Sequence, residues 1–188
     1  MFRTLILAAA LAFGTLTAKA EQIGPVVGAE TPPFEAYAVD GSLVTLDDLE
    51  AENGVALVFF RSAGWCPFCK KQLKDINEVV GPLSERGWAV AGVSYDDEET
   101  LQAFVDQEGL DYPLLSDRES ATITSFGLLN TAFEEGTRAH GVPHPAIVFV
   151  RSDGIVAAVL REDGYRNRPA METLVGTADI LQPTGAEG

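Results

Sequence analysis

The chain has 188 residues, with 28 Asp and Glu against 13 Lys and Arg, and its formal net charge is −15. This acidic balance argues against a nucleic-acid partner, because binding to phosphates requires a basic surface. The length suits one domain with a sizeable core, and two cysteines are too few for a disulfide scaffold.

The first twenty residues have the pattern of an export signal. Arg3 supplies a positive charge, residues 5–13 are apolar, and Ala18-Lys19-Ala20 resembles a small-residue cleavage site. The apolar run is too short to span a bilayer, which takes roughly 20 residues. We therefore predict a periplasmic or secreted protein that begins at Glu21 and has no stable membrane anchor.

The rest of the chain alternates between strand and helix patterns. Strands at 34–39 and 43–46 flank Asp40-Gly41 and predict a hairpin, and the apolar run at 55–60 is typical of a buried strand. Further strands are predicted at 88–93, 112–115, 146–150 and 155–160, and helices at 66–80, 97–107, 119–126 and 169–181. Gly81-Pro82 is expected to end or kink the first helix, and residues 128–141 carry no assignable pattern. This order indicates an α/β fold, with a mixed central sheet flanked by helices.

Both cysteines lie where the buried strand passes into the first helix, in the motif Cys66-Pro67-Phe68-Cys69. Unpaired backbone N–H groups and the helix dipole stabilise an anion there, so we expect the pKa of the Cys66 thiol to lie below that of a free cysteine. Pro67 suits a first helical turn, where its missing N–H would have no acceptor. Cys69 lies one turn later and is expected to be less exposed. Cys66 would then attack a disulfide, and Cys69 would resolve the mixed disulfide.

Three other interpretations of the cysteine pair are open. A structural disulfide would close a loop too short for much entropic stabilisation. A zinc site would add His140 and His144, but the 70-residue gap is far from compact finger spacing. A glutaredoxin would share the Cys-Pro-Phe-Cys motif, although the flanking sequence differs. We expect no metal and no cofactor.

Three segments together resemble a known family. They are the run from Phe59 to Leu73, the run from Tyr112 to Asp117, and the run from Gly141 to Val150 with Asp153-Gly154. These segments are similar to redoxin-type members of the alkyl hydroperoxide reductase/thiol-specific antioxidant family, which includes the peroxiredoxins. The resemblance spans about 32–181 and implies a thioredoxin-like fold to which the hairpin is an N-terminal extension. The implied organisation is a signal peptide (1–20), an N-terminal extension (21–31), a redoxin domain (32–182) and a flexible tail (183–188).

The departures from that family concern the peroxide pocket. Peroxiredoxins carry a Pro and a Thr or Ser upstream of the reactive cysteine, where this chain has Phe59 and Ala63. The family's peroxide-binding Arg aligns with Pro145. A proline there resembles the thioredoxin pattern, which implies a cis peptide bond before Pro145 and a free backbone at His144 for substrate docking.

The remaining candidates are supporting residues. Trp65 is expected to shield the disulfide and border the docking surface, together with Pro67 and Phe68, and His144 to tune the thiolate or partner choice. Lys70, His140 and Arg61 are expected to be solvated or structural, and the acidic run 96–99 to be a solvated helix start.

The sequence therefore predicts a thiol–disulfide oxidoreductase that acts through Cys66 and Cys69. The alternative function is a peroxiredoxin-like peroxidase in which Cys66 reacts with hydroperoxides and Cys69 resolves. The expected partners are protein or small-molecule thiols and disulfides, peroxides under the alternative, and a redox partner protein.

Overall fold

A computed structural model of the protein describes residues 22–49 and 51–182. The strands are β1 (Glu35–Tyr37), β2 (Leu43–Thr45), β3 (Gly54–Phe59), β4 (Trp88–Ser94), β5 (Leu114–Ser116), β6 (Ala146–Arg151) and β7 (Val156–Leu160). The helices are α1 (Pro67–Asn77), α2 (Val80–Ser84), α3 (Glu98–Glu108), α4 (Ala121–Ser125) and α5 (Met171–Ile180), and a 3-10 turn covers Asp47–Leu49. The predicted signal peptide at 1–20, the start at Glu21 and the tail at 183–188 lie outside the described residues. Within the part of the chain that is described, no helix has both the length and the apolar composition needed to cross a bilayer.

The strands form one mixed sheet in the order β2-β1-β5-β4-β3-β6-β7. The strand β3 pairs in parallel with β4 and antiparallel with β6, and Phe59 at the end of β3 lies opposite Ala146 at the start of β6. This register brings the segment after β3 and the segment before β6 to the same edge of the sheet. The predicted hairpin is present as β1 and β2, and it extends the sheet beside β5.

The core lies on both faces of the sheet. Every residue of β3 is buried. Val55, Leu57 and Phe59 belong to one apolar cluster, and Ala56 and Val58 belong to the other. Side chains of a strand alternate between faces, so a strand buried on both sides reads as one continuous apolar run. The prediction of a mixed sheet covered on both faces is confirmed.

The first helix ends earlier than predicted. The helix α1 ends at Asn77, and Gly81 and Pro82 lie inside α2 rather than at the end of α1. Pro82 is the third residue of α2, where its missing N–H would have no partner within the helix. The proline therefore belongs to the first turn of a new helix. The apolar spacing continues from α1 into Val79 and Val80, so the sequence pattern alone did not show that α1 had already ended.

Candidate active site

A disulfide joins Cys66 and Cys69 at the start of α1, and their Cα atoms are 5.2 Å apart. Cys66 is the N-cap of the helix, and its Sγ accepts a hydrogen bond of 3.2 Å from the backbone N–H of Cys69. Pro67 is the first helical residue, as predicted. The backbone donor and the helix terminus both favour negative charge on the Cys66 sulfur.

Solvent exposure does not distinguish the two cysteines. Cys66 is 1% exposed and Cys69 is 0% exposed, so in the disulfide form the expected difference in exposure amounts to only one percent. The reason is packing, because both cysteines belong to an apolar cluster against which Trp65 also lies. What separates the two sulfurs is their hydrogen-bond donors rather than their access to water.

The second sulfur has a donor that the sequence analysis missed. The Arg168 guanidinium donates from Nη2 to the Sγ of Cys69 at 3.4 Å, and from Nε to Oε1 of Gln72 at 2.6 Å. Burial, with a smaller effect of the nearby Arg61 charge, lowers the pKa of Arg168 to about 10, so the group is protonated at neutral pH. Arg168 lies 99 residues after Cys69, outside any motif, and no spacing signal in the sequence connects the two.

The loop before Cys66 is held by a buried carboxylate at the end of β4. Asp96 Oδ1 accepts a 2.8 Å hydrogen bond from the Ser62 hydroxyl, and Oδ2 accepts bonds from the Ala63 N–H at 2.7 Å and the Ser94 hydroxyl at 3.1 Å. The Ser62 hydroxyl oxygen in turn accepts from the N–H groups of Gly64 and Trp65.

Asp96 is not part of a solvated helix start. It is 8% exposed, and burial raises the pKa of Asp96 against the opposing effect of its hydrogen bonds. Asp97 is the residue that caps α3, accepting from the Thr100 N–H at 2.8 Å. One residue in the predicted acidic run therefore belongs to the site, because β4 ends beside the loop that carries the motif.

Trp65 lies between two arginines. Its indole N–H donates to the Tyr95 hydroxyl at 2.9 Å, and the guanidinium groups of Arg61 and Arg138 each lie 4.9 Å from its ring centroid. Arg61 was expected to be solvated or structural, and it is 6% exposed. Burial lowers the pKa of Arg61. Aromatic faces surround this buried cation because they attract positive charge without a carboxylate.

Two exposed aromatic side chains pack against each other at the start of α1. Phe68 is 39% exposed and Tyr165 is 43% exposed, and their ring centroids are 6.0 Å apart in an edge-to-face arrangement. The Tyr165 ring also lies 4.7 Å from the Arg61 guanidinium. Tyr165 therefore joins the motif helix to the buried arginine, and the sequence analysis did not identify it.

The segment before β6 differs from the prediction. Among the described residues no peptide bond is cis, so the bond before Pro145 is trans, which is the ordinary geometry of X-Pro bonds. The His144 N–H donates to the Leu128 carbonyl at 2.7 Å. That backbone group is consequently engaged within the chain and is not free to dock a substrate strand. Burial, together with the Arg161 charge, lowers the pKa of His144.

His140 also lies in this region without joining the cysteines. Its Nδ1 is 3.2 Å from the Phe133 carbonyl oxygen. A zinc site made from both thiolates is incompatible with the disulfide form, since the two sulfurs are bonded to each other.

Comparison with known proteins places this geometry in a family. The AhpC/TSA family model matches residues 27–159. A Mycobacterium tuberculosis protein, Rv2521, provisionally named a peroxiredoxin, is 32% identical over 131 residues, which cover 70% of this chain and 82% of the relative. The thiol-disulfide oxidoreductase ResA of Bacillus anthracis is 30% identical over 110 residues, which cover 57% of this chain and 62% of ResA.

A solved structure of similar fold is the peroxidoxin BcpB from Mycobacterium tuberculosis. Its TM-score is 0.69 at 20% identity, and the match covers 85% of this chain and 98% of that one. The sheet order, the cysteine pair at the start of α1 and the family match agree with one another. The thioredoxin-like fold is confirmed, and the chain belongs to the AhpC/TSA family of redoxin oxidoreductases.

Proposed function

We propose that this protein is a thiol–disulfide oxidoreductase that exchanges disulfides through Cys66 and Cys69. The observation that carries the proposal is the disulfide itself, which lies at a helix N-terminus and has a separate hydrogen-bond donor for each sulfur. Both donors favour the thiolate over the neutral thiol. The reduced cysteines are therefore nucleophilic, and each sulfur is also a good leaving group when a disulfide that contains it is attacked.

The exchange proceeds in two balanced steps. In the first step the Cys66 thiolate attacks one sulfur of a substrate disulfide, an S–S bond forms between enzyme and substrate, and the second substrate sulfur leaves as a thiolate that takes up a proton. In the second step Cys69, having lost its proton to solvent, attacks Cys66 Sγ. The bond between Cys66 and the substrate breaks, the substrate sulfur leaves as a thiolate that takes up a second proton to complete the dithiol, and the enzyme retains the Cys66–Cys69 disulfide. The reverse steps oxidise a substrate dithiol.

Trapping of the mixed disulfide tests the assignment of the two roles. Cys69→Ser is expected to accumulate covalent adducts with a disulfide-bonded substrate protein, since the resolving step is lost. Cys66→Ser is expected to accumulate none. Adducts are counted by mass spectrometry with and without reductant, and the opposite pattern would reverse the roles.

Peroxidase activity is the second candidate, because several similar proteins bear peroxiredoxin names. The two positions where peroxiredoxins carry their pocket Pro and Thr or Ser favour disulfide exchange instead. Phe59 is buried against Phe126, with ring centroids 5.0 Å apart, and the Ala63 N–H is committed to Asp96. Neither position supplies the donor that a departing peroxide oxygen requires.

The proposal extends to where the protein acts. A signal peptide over 1–20 would deliver it to the periplasm, where a thioredoxin-like pair meets disulfide substrates. N-terminal sequencing of periplasmic material is expected to begin at or near Glu21. Material from that compartment with Met1 intact would contradict the proposal.

A further inference from the structure

The positive charges of this acidic protein fall into two groups. Five of the cations in 22–49 and 51–182 make salt bridges, and those pairs are Lys71–Asp75, Lys74–Glu108, Arg86–Asp179, Arg118–Glu98 and Arg151–Asp153. Six others have no carboxylate within 4.0 Å in that part of the chain, and they are Arg61, Lys70, Arg138, Arg161, Arg166 and Arg168. With 28 acidic residues against 13 basic ones, carboxylates are not scarce. The six cations have a common location instead.

Two of these cations flank Trp65, immediately before the disulfide. The guanidinium groups of Arg61 and Arg138 contact the same indole ring, and the Tyr95 hydroxyl donates to the Arg138 carbonyl oxygen at 2.5 Å. Lys70 directly follows Cys69 in the chain, and its ammonium lies 5.9 Å from the Phe104 ring centroid.

The other three cations lie around Tyr165. Arg168 donates to the Cys69 sulfur and to the Tyr165 carbonyl oxygen, and the Arg166 guanidinium lies 5.3 Å from the Tyr165 ring. Arg161 and Tyr165 line a cavity of about 340 Å3 together with His144. Glu162 lines that cavity too, without making a salt bridge to Arg161.

Two of these guanidinium groups each have a buried nitrogen without a hydrogen-bond partner among the described residues. The Nε atoms of Arg61 and Arg161 are buried and have no hydrogen-bond acceptor among the described residues. Burying a charged donor without an acceptor is costly, and chains normally supply one. Arg61 is enclosed by aromatic rings, but Arg161 lines a cavity in which a ligand with oxygen acceptors would reach it, and carboxylates match the planar guanidinium best.

We infer that the thiol or disulfide partner of this site is an acidic polypeptide segment, with carboxylates on both sides of its reacting cysteine. The inference rests on the proposed function. An extended segment is required because the accessible cations lie at separate places around the motif, with Arg138 at Trp65, Arg166 at Tyr165 and Arg161 in the cavity. A small disulfide would contact only one of these places.

Charge complementarity at this site acts at short range. The net charge of the protein repels an acidic partner at a distance, but that repulsion is screened beyond a Debye length of about 8 Å at physiological ionic strength. Contacts with the six cations begin within that distance. Selectivity is therefore expected in the rate of exchange at physiological salt rather than in long-range attraction.

The experiment uses three disulfide-bonded peptides of equal length whose cysteines are flanked by Glu, by Gln or by Lys. The wild-type mature protein, reduced beforehand and followed over a single turnover, is expected to reduce the Glu peptide with a second-order rate constant at least tenfold above that for the Lys peptide. Arg138→Gln and Arg166→Gln, both at exposed positions, are each expected to lower that ratio about threefold. The matched control Arg151→Gln changes the net charge equally, at a paired site, and should leave the ratio unchanged.

Three outcomes would contradict the inference or its basis. Equal rates for the Glu and Lys peptides, or a faster Lys peptide, would overturn the acidic partner. An equally strong preference for dithiodipropionate over cystamine would overturn the polypeptide and point to a small anionic disulfide. Failure to reduce even the Gln peptide would overturn the proposed exchange activity itself, independently of charge.

Discussion

An arginine lies near each end of the β3–β6 strand pair, and the two differ in whether a carboxylate balances the charge. At one end Arg151 lies opposite Gly54 and pairs with Asp153, N to O at 2.6 Å, with both side chains about half exposed. The two ends of β3 are roughly 17 Å apart, five residue steps along the strand. Just beyond the other end, Arg61 is buried among three aromatic rings and makes no salt bridge within the described residues. The first charge is balanced locally, and the second is not.

This difference separates what stabilises the fold from what serves a partner. An exposed ion pair such as Arg151–Asp153 adds little to the stability of the fold, because water screens both charges, and it lies far from the disulfide. A buried guanidinium loses hydration, which aromatic faces offset only in part, at about 0.5–2 kcal/mol each. The site end therefore carries a positive charge without a counter-ion among the described residues, and the far end carries an ion pair that is complete in itself.

The largest expected effect concerns peroxide. The backbone N–H groups of Ala63 and His144 are already bonded within the chain and cannot donate to a departing peroxide oxygen. Reduced Cys66 should therefore react with hydrogen peroxide about 10²–10³ times more slowly than a cysteine whose site supplies such a donor. The Ala63 N–H is bonded to Asp96 and the His144 N–H to Leu128. Stopped-flow oxidation of the reduced protein is expected to give a rate constant below about 10⁵ M⁻¹s⁻¹. A faster reaction would show that Arg61 or Arg168 supplies the missing donor.

Replacing one carboxylate near each end of the strand pair, Asp96 or Asp153, compares what a buried and an exposed carboxylate contribute to stability. Asp96→Asn puts an amide donor against either the Ser62 hydroxyl or the Ala63 N–H, whichever way it turns, because both groups donate to Asp96. We expect the free energy of unfolding to fall by about 2–3 kcal/mol. Asp153→Asn removes the same charge at an exposed site and should cause no resolvable change. Urea denaturation of the two variants measures the difference, and equal losses would contradict the assigned role of Asp96.

Replacing an arginine at each end tests the redox pair. Arg168 stabilises the Cys69 sulfur more as a thiolate than as half of a disulfide, so Arg168→Gln should disfavour the reduced form. At about 1.5 kcal/mol for a hydrogen bond to a charged group, the reduction potential should become about 30 mV more negative. Equilibration with glutathione buffers measures this potential. Arg151→Gln is the control, and a potential unaffected by Arg168→Gln would mean that the contact has no redox role.

Features that depend on local patterns are predictable from the amino-acid sequence. The strand β3 follows from a continuous apolar run, and the Cys66 cap with Pro67 follows from a motif that begins a helix. The family resemblance rests on such segments, and it is confirmed.

The missed features depend on contacts between distant segments. Arg168 and Tyr165 lie about 100 residues after the motif, in a stretch without regular structure, and only the return of the chain before α5 brings them to Cys69. Asp96 was misread because exposure cannot be inferred from an acidic run when β4 ends against another loop. The cis bond expected at Pro145 was an analogy, and the hydrogen bond from His144 to Leu128 shows the backbone in a different role.

The smallest expected effect is a pair of opposite titrations at the two ends of the sheet. Burial raises the pKa of Asp96 above its ordinary value of 3.8, and the Arg151 guanidinium holds the pKa of Asp153 below 3.8. Above 3.8 the native state keeps the Asp96 proton longer than the unfolded chain does. The stability from Asp96 is therefore fully present below pH 3.8 and is lost as the pH rises through the folded-state pKa. Asp153 has the opposite sign, since its contribution to the stability of the fold is present above pH 3.8 and is lost as the pH falls through its lowered pKa.

NMR measures the two titrations separately. Carboxyl carbon shifts recorded from pH 2 to 8 should place the Asp96 midpoint above that of Asp153, with Asp96→Asn identifying the signal. The reverse order would mean that the hydrogen bonds from Ser62 and Ala63 outweigh burial in setting the pKa of Asp96, and that the buried carboxylate is stabilised in its charged form.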